Sequence, residues 1–276
     1  MESSTVSRNM SSKAFFKTLW LSDIHLGNRD CHATYLLHFL QHVECERLYL
    51  VGDIFDMLAM KRKVFWPQEH GEVVKQIHSM SQQGTEIIYV PGNHDMPMRH
   101  FDQGLFLNIQ LHRQYVHQTV DGKKLLVVHG DEFDHAVLYR TMNRLIGDPA
   151  YDFMVFMNRW LQRVRSFLGL PFWSLASYLK NNLSQARATI EAFEKAAAME
   201  AKQRHLDGVV CGHIHRANLR TVDGVLYCND GDWTETCSAL VEHRDGRLEL
   251  MHWLDIEKMI EQLQWNIKEE IQVRAA

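Results

Sequence analysis

The chain has 276 residues, 46% of them apolar and 23% charged, the balance of a globular protein with a substantial core and not of a disordered or fibrous one. A formal net charge of −4 predicts no general affinity for nucleic acid, and no stretch approaches the roughly 18 apolar residues that a membrane-spanning helix needs. The five cysteines, Cys31, Cys45, Cys211, Cys228 and Cys237, are odd in number and lack C-x-x-C spacing, which argues against a disulfide framework and against a zinc ribbon.

In chain order, Met1 to Ser12 is polar and Ser-rich, without the apolar centre of a signal peptide. Residues 1–13 are expected to be a disordered tail, and a reduced, cytoplasmic setting follows from the cysteine pattern. Phe15 to Ser22 reads as a first strand buried on both faces. Tyr35, Leu36, Phe39, Leu40 and Val43 recur at helical spacing, placing a helix within Asp30 to Val43. Leu48 to Val51 reads as the second strand. A loop carrying Lys61, Arg62, Lys63, Phe65 and Trp66 leads to a helix near Pro67 to Gln83, closed by Gly84, and Glu86 to Val90 is the third strand. Strands alternating with helices indicate an α/β core with its site at the strand C-termini.

Beyond Tyr115 the pattern changes to hairpins. Asp121-Gly122, Asp223-Gly224 and Asp245-Gly246 each separate two short apolar runs. Leu254 to Val273 has the spacing of a closing amphipathic helix. Between lies a strand-free stretch, about 134–207. In it Phe153, Met157, Trp160, Leu161, Val164 and Leu168 share one helical face, and Leu175, Leu179, Leu183, Ala186, Ile190 and Phe193 share another. Gly169 and Pro171 separate the two faces. The expectation is a helical insertion capping the site of a domain that spans 14–276.

Five apolar runs stop in residues that bind metals: Ser22-Asp23-Ile24-His25, Gly52-Asp53, Gly92-Asn93-His94-Asp95, Val128-His129-Gly130-Asp131 and Gly212-His213-Ile214-His215. One Asp or His after a strand is ordinarily a turn residue or helix cap. Five in series supply seven oxygen and nitrogen donors: Asp23, His25, Asp53, Asn93, His129, His213 and His215. Carboxylate, amide oxygen and imidazole without thiolate suit Mn²⁺, Fe or Zn²⁺. A bridging carboxylate can hold two such cations ~3.5–4 Å apart, where they polarise a phosphate and acidify a bound water.

Block by block from Asp23 to His215, the chain resembles the calcineurin-like metallophosphoesterases. That resemblance implies a four-layer αββα sandwich of two packed sheets flanked by helices. It also implies two divalent metal ions, Mn²⁺ first. Asp23, His25 and His215 would serve one ion, Asn93, His129 and His213 the other, with Asp53 bridging. His94 would be the acid that protonates the leaving oxygen, oriented by Asp95; the alternative for Asp95 is a cap on the following helix. Asp56 and Asp131 are expected to orient ligand imidazoles. His38, His42, His70, His78, His100, His112, His117, His205, His243 and His252 lack ligand-like placement and read as surface or core. Trp233, in Gly231-Asp232-Trp233, reads either as packing near the site or as plain core.

Within that superfamily the chain is most similar to the UDP-2,3-diacylglucosamine pyrophosphatases of lipid A synthesis. The likeness lies in Ser22-Asp23-Ile24-His25-Leu26, in Gly52-Asp53-Ile54-Phe55-Asp56, in overall length and in the helical insertion before Gly212. It implies a nucleotide-linked lipid diphosphate as substrate. Between His135 and Ile190, Arg140, Arg144, Arg159, Arg163, Arg165, Lys180 and Arg187 face only Asp148 and Asp152. A basic cap suits an amphiphilic anion or peripheral docking on the inner membrane surface, and equally a solvated helix face or a dimer contact. The pyrophosphatases carry Arg after the ligand Asn, whereas this chain has His94. Two other readings stay open: a phosphatase or phosphodiesterase for soluble nucleotides or sugar phosphates, and a non-catalytic metal-stabilised scaffold or membrane-docking protein. The oligomeric state is not legible in the sequence.

Overall fold

A computed structural model describes residues 13–134 and 184–275 of the chain. The expected tail, apart from Lys13, and most of the expected cap, 135–183, lie outside the described residues.

The central strand β1 (Ala14–Leu21) is built from Phe15, Phe16, Leu19, Trp20 and Leu21, and is covered on both faces as its apolar run predicts. It pairs in parallel with β2 (Val43–Val51), which pairs in parallel with β3 (Glu86–Val90). The helices α1 (Ala33–Gln41) and α3 (Gln68–Gln82) make the two crossovers. β2 begins earlier than expected, and Val43, assigned to the preceding helix by its spacing, opens this strand instead. Val43-Glu44-Cys45-Glu46 alternates buried and exposed, a half-solvated start that an unbroken apolar run does not signal. Residues expected as loop include a one-and-a-half-turn helix, α2 (Met57–Arg62), started by the Asp56 carboxylate, which accepts from Ala59 N–H at 2.8 Å.

Two short strands absent from the sequence reading, β4 (Leu105–Phe106) and β5 (Ile109–Leu111), finish this edge. The other edge is β11 (Ser238–Glu242) and β12 (Leu248–His252), giving the order β12-β11-β1-β2-β3-β5-β4. The second sheet joins β6 (Tyr115–Gln118), β7 (Lys124–Val127), β8 (Gly208–Cys211), β9 (Asn218–Val222) and β10 (Val225–Asn229) in the order β6-β7-β8-β10-β9. All three Asp-Gly pairs close hairpins. At Asp223-Gly224 both residues have positive φ, 49° and 84°, the conformation a two-residue loop between right-twisted strands requires. The sheet is not purely antiparallel, however, since β7, β8 and β10 run parallel to one another.

The two sheets pack face to face through Trp20, Tyr49, Ile88, Leu125, Val210 and Leu240. The outer face of the first sheet is covered by α1, α3 and α5 (Trp253–Ala275), through Leu36, Phe39, Val73, Ile77, Ile256 and Ile260. The outer face of the second is covered by α4 (Ser184–Gln203), whose Phe193, Ala197, Ala198 and Ala201 meet Leu126, Val209 and Tyr227. Helix, sheet, sheet, helix is the predicted four-layer α/β architecture. Among the described residues no helix is long and apolar enough to cross a membrane.

Candidate metal centre

The C-terminal ends of β1, β2 and β3 in one sheet and of β7 and β8 in the other converge at one end of the sandwich. Each ends in backbone that leaves the strand abruptly. Asp23, His25, Asp53, His213 and His215 all adopt left-handed backbone, with φ between 49° and 69°. Non-glycine residues rarely sit there, and strain of this kind collects at functional sites. Asp23 N–H bonds to Gly52 O at 3.0 Å and His25 N–H to Asp53 O at 2.8 Å, so the first two turns are locked edge to edge. The glycines in the motifs make room. A Cβ on Gly52 would overlap the His129 ring, one on Gly92 would overlap Asp53, and one on Gly212 would overlap Ser22 and Asp23.

The seven residues singled out as ligands come together. Asp23 Oδ1 lies 3.2 Å from His215 Nε2 and 3.9 Å from His25 Nε2. Asp53 Oδ2 lies 3.8 Å from His25 Nε2 and 3.4 Å from His129 Nε2, which is in turn 3.2 Å from Asn93 Oδ1. Three donor groupings have spacings that could hold a metal ion: Asp23, His25 and His215; His25, Asp53 and His94; Asp53, His129 and His213. Asp53 is common to the last two. Asp23, His25, Asp53 and His129 are buried, and neither Asp23 Oδ1 nor His25 Nε2 has a hydrogen-bond partner. Buried polar atoms left unsatisfied are costly, and a cation satisfies both. The donor set therefore fits divalent metal ions.

Electrostatics agree. Burial would raise the Asp23 carboxyl, but His215, His129 and His25 around it hold it well below the usual carboxylate range. Burial likewise acts to raise Asp53, and His129 outweighs it. Burial would lower His129, yet Asp53 and Asp23 lift it to about 10. Anionic oxygens are thus concentrated where a cation would sit.

His94 lies at the edge of this cluster with its Nε2 4.0 Å from Asp53 Oδ2 and its backbone N–H on Asp53 Oδ1 at 2.8 Å. Its orienting partner is not Asp95. The Asp95 carboxylate is fully buried and receives Tyr89 O–H, Ile54 N–H at 2.8 Å and Gly92 N–H at 2.5 Å, so it fixes the backbone of the second and third strand ends. Nor does its side chain cap the 3₁₀ turn that follows. Burial raises its carboxyl even so. Asp56 takes the role instead, with Oδ1 2.9 Å from His94 Nδ1 and Oδ2 3.4 Å from His25 Nδ1. Against the effect of its burial, those two rings, Ala59 N–H and Asn28 hold Asp56 well below the usual carboxylate range. His94 is raised although burial opposes it, chiefly through the Asp56 hydrogen bond. Among the described residues Asp131 hydrogen-bonds to no imidazole either; it pairs with Arg99 at 2.6 Å, and Arg99 also donates to Pro91 O.

The structure adds three residues that the sequence reading passed over. Asp134 Oδ2 accepts from His213 Nε2 at 2.9 Å. Asp230 Oδ1 accepts from Ser22 Oγ at 2.7 Å, and burial together with Asp23 pushes its carboxyl well above the usual range. Asn229 Nδ2 holds Gly212 O at 2.7 Å. The signal for the last two was the run Asn229-Asp230-Gly231-Asp232 after an apolar strand, a pattern like the five that were used. Trp233 satisfies both readings, since it stacks on Phe39 in the core and donates its backbone N–H to Asp23 O at 3.1 Å. His70 accepts from Gly27 N–H, and His117 is buried between the sheets, in keeping with structural roles.

A sandwich of two sheets ending in carboxylates, an amide and imidazoles, with the His94 ring beside them, is the frame of a metal-dependent hydrolase of phosphoric esters or pyrophosphates. Residues 16–217 match the family model of the calcineurin-like phosphoesterases, and the chain belongs to that family. Among curated relatives, UDP-2,3-diacylglucosamine hydrolase of Histophilus somni is 25% identical over 251 residues, covering 83% of this chain and 97% of that protein. The enzyme of the same name from Haemophilus influenzae is 27% identical over 242 residues, covering 81% and 93%. A solved archaeal phosphodiesterase is similar at 13% identity, with a TM-score of 0.41 over 85% of this chain and 98% of that one.

Proposed function

We propose that the chain hydrolyses the diphosphate of a nucleotide-linked lipid, of the UDP-2,3-diacylglucosamine type, at a centre of two divalent cations with Mn²⁺ the first candidate. The observation that carries the two-metal reading is Asp53 Oδ2, which lies between His25 Nε2 at 3.8 Å and His129 Nε2 at 3.4 Å and so belongs to both sides of the cluster. Asp23, His25 and His215 would hold one cation, Asn93, His129 and His213 the other. Bound there, the pair would neutralise phosphate charge and acidify a water for attack. His94 supplies the proton for the departing oxygen from Nε2, because Asp56 already occupies Nδ1 and fixes the ring. That dyad speaks against a non-catalytic scaffold, since holding metals needs no proton donor.

The named relatives supply the lipid-linked part of the reading, and the setting we propose is the cytoplasm, peripheral on the inner membrane surface. His94 in place of the arginine expected in those enzymes favours, as the second reading, a phosphodiesterase for soluble nucleotides. The test is release of UMP from UDP-2,3-diacylglucosamine with Mn²⁺, set beside soluble aryl phosphodiesters and nucleotides. Turnover of the soluble compounds alone would overturn the lipid reading and leave the hydrolase class standing.

A further inference from the structure

The segment from Leu58 to Trp66 follows directly on Asp53 and Asp56 at the rim of the metal cluster. Leu58, Val64 and Trp66 are 44%, 73% and 42% exposed. Lys61, Arg62 and Lys63 are exposed too, and they form no ion pair among the described residues. No carboxylate stands between Met57 and Pro67, in a chain whose net charge is −4. The strip is nevertheless held in place. Trp66 stacks on Phe55 with ring centroids 6.3 Å apart and meets His70 edge-on at 5.6 Å, while Arg29 lies over Phe65 at 5.2 Å.

We infer that this rim segment docks the protein on an anionic phospholipid bilayer, with Lys61, Arg62 and Lys63 at the headgroups and Leu58, Val64 and Trp66 at the acyl boundary. Three cations without an ion pair among the described residues complement anionic lipid, and adjacent apolar side chains including a tryptophan suit the interface, where an indole finds both apolar and wet surroundings. A nucleic-acid backbone would use the cations but leave Val64 and Leu58 in water. Since the strip follows Asp53 and Asp56, docking brings the metal cluster to the membrane surface, where a lipid-linked diphosphate would lie. The inference gains that purpose from the reading above, but its test does not need it.

Flotation of the full chain with vesicles of phosphatidylcholine, alone or mixed with phosphatidylglycerol, tests this. Binding is expected only with phosphatidylglycerol and is expected to weaken as salt rises. The triple substitution Lys61→Ala, Arg62→Ala and Lys63→Ala should weaken it on the order of 10²-fold, at roughly fivefold per cation. Val64→Ser, which leaves charge and core untouched, should weaken it several-fold. Both variants should cleave a soluble aryl phosphodiester like the parent. Equal binding to both vesicle types, or full binding by the triple variant, overturns the docking surface. So does a single-stranded RNA that binds the strip while vesicles do not. If vesicles bind through the strip but no UMP is released, only the substrate reading falls. If UMP is released in detergent micelles while vesicle binding ignores the strip, only the docking falls.

Discussion

His94 Nδ1 and Asp56 Oδ1 are 2.9 Å apart, and that contact joins the end of β3 to the end of β2 at the edge of the metal cluster. It fixes which ring nitrogen faces the cluster and raises the affinity of that ring for its proton.

His94→Ala is expected to keep its metal and lose roughly 10²–10⁴-fold in turnover, the usual scale for acid help. Asp56→Asn should lose less and should move the alkaline limb of the rate profile to lower pH, because His94 then gives up its proton earlier. A pH–rate series on an aryl phosphodiester, with metal content measured on each sample, checks both. Loss of metal from His94→Ala would assign that ring to the ligands instead.

Asp53→Asn removes the charge shared by both halves of the cluster. Two ions per chain are expected in the parent and less than one in the variant, with nearly all turnover gone. Elemental analysis after Mn²⁺ loading reads this directly.

Gly52→Ala should be among the most damaging single changes in the molecule. The residue sits at φ 79°, and its new Cβ would overlap the His129 ring. Overpacking of this kind costs roughly 1–3 kcal/mol, and left-handed backbone adds about 1–2 kcal/mol for a residue with a Cβ. Thermal unfolding with and without Mn²⁺ should show lower stability together with a smaller gain from the metal.

At the far end of the sandwich, Glu242 accepts from Thr18 Oγ1 at 2.8 Å and from Val120 N–H at 2.7 Å, and lies 3.2 Å from His117 Nε2. Burial acts to raise this carboxyl, but His117 and those N–H and O–H donors hold it below its ordinary 4.5. A depressed carboxylate gives stability that is complete above 4.5 and disappears as pH falls through its folded value. Glu242→Gln should therefore cost roughly 1.5–3 kcal/mol at neutral pH, the scale for hydrogen bonds to charged groups, and less in acid. The denaturant midpoints of parent and variant should lie closer together at pH 4 than at pH 7.

The sequence announced the cluster of candidate ligands because its chemistry is written as short strand-end motifs, where Asp23, Asp53 and His213 each follow an apolar run. It announced β1, β3 and the three hairpins for a similar reason, since unbroken burial and Asp-Gly turns are local signals. Asp95 misled because adjacency in sequence stood in for adjacency in space. The residue points back under β2, while Asp56, three residues beyond Asp53, reaches His94 from the end of β2 to the end of β3. Asp230 escaped notice because the run that carries it was read for Trp233 alone. β4 and β5 escaped because strands of two and three residues carry too little alternation to register.

The two sheets are joined at opposite ends by different means. Asp23, His25, Asp53 and Asn93 belong to one sheet and His129, His213 and His215 to the other, so a cation held between them would be a rivet through both. Tyr49 and Glu242 meet His117 across the same seam at the far end, with no ion needed. Chelation should therefore open the seam like a hinged book. Amide exchange should quicken around Val51, Val90 and Cys211, while the amides beside Thr18 and His117 stay protected.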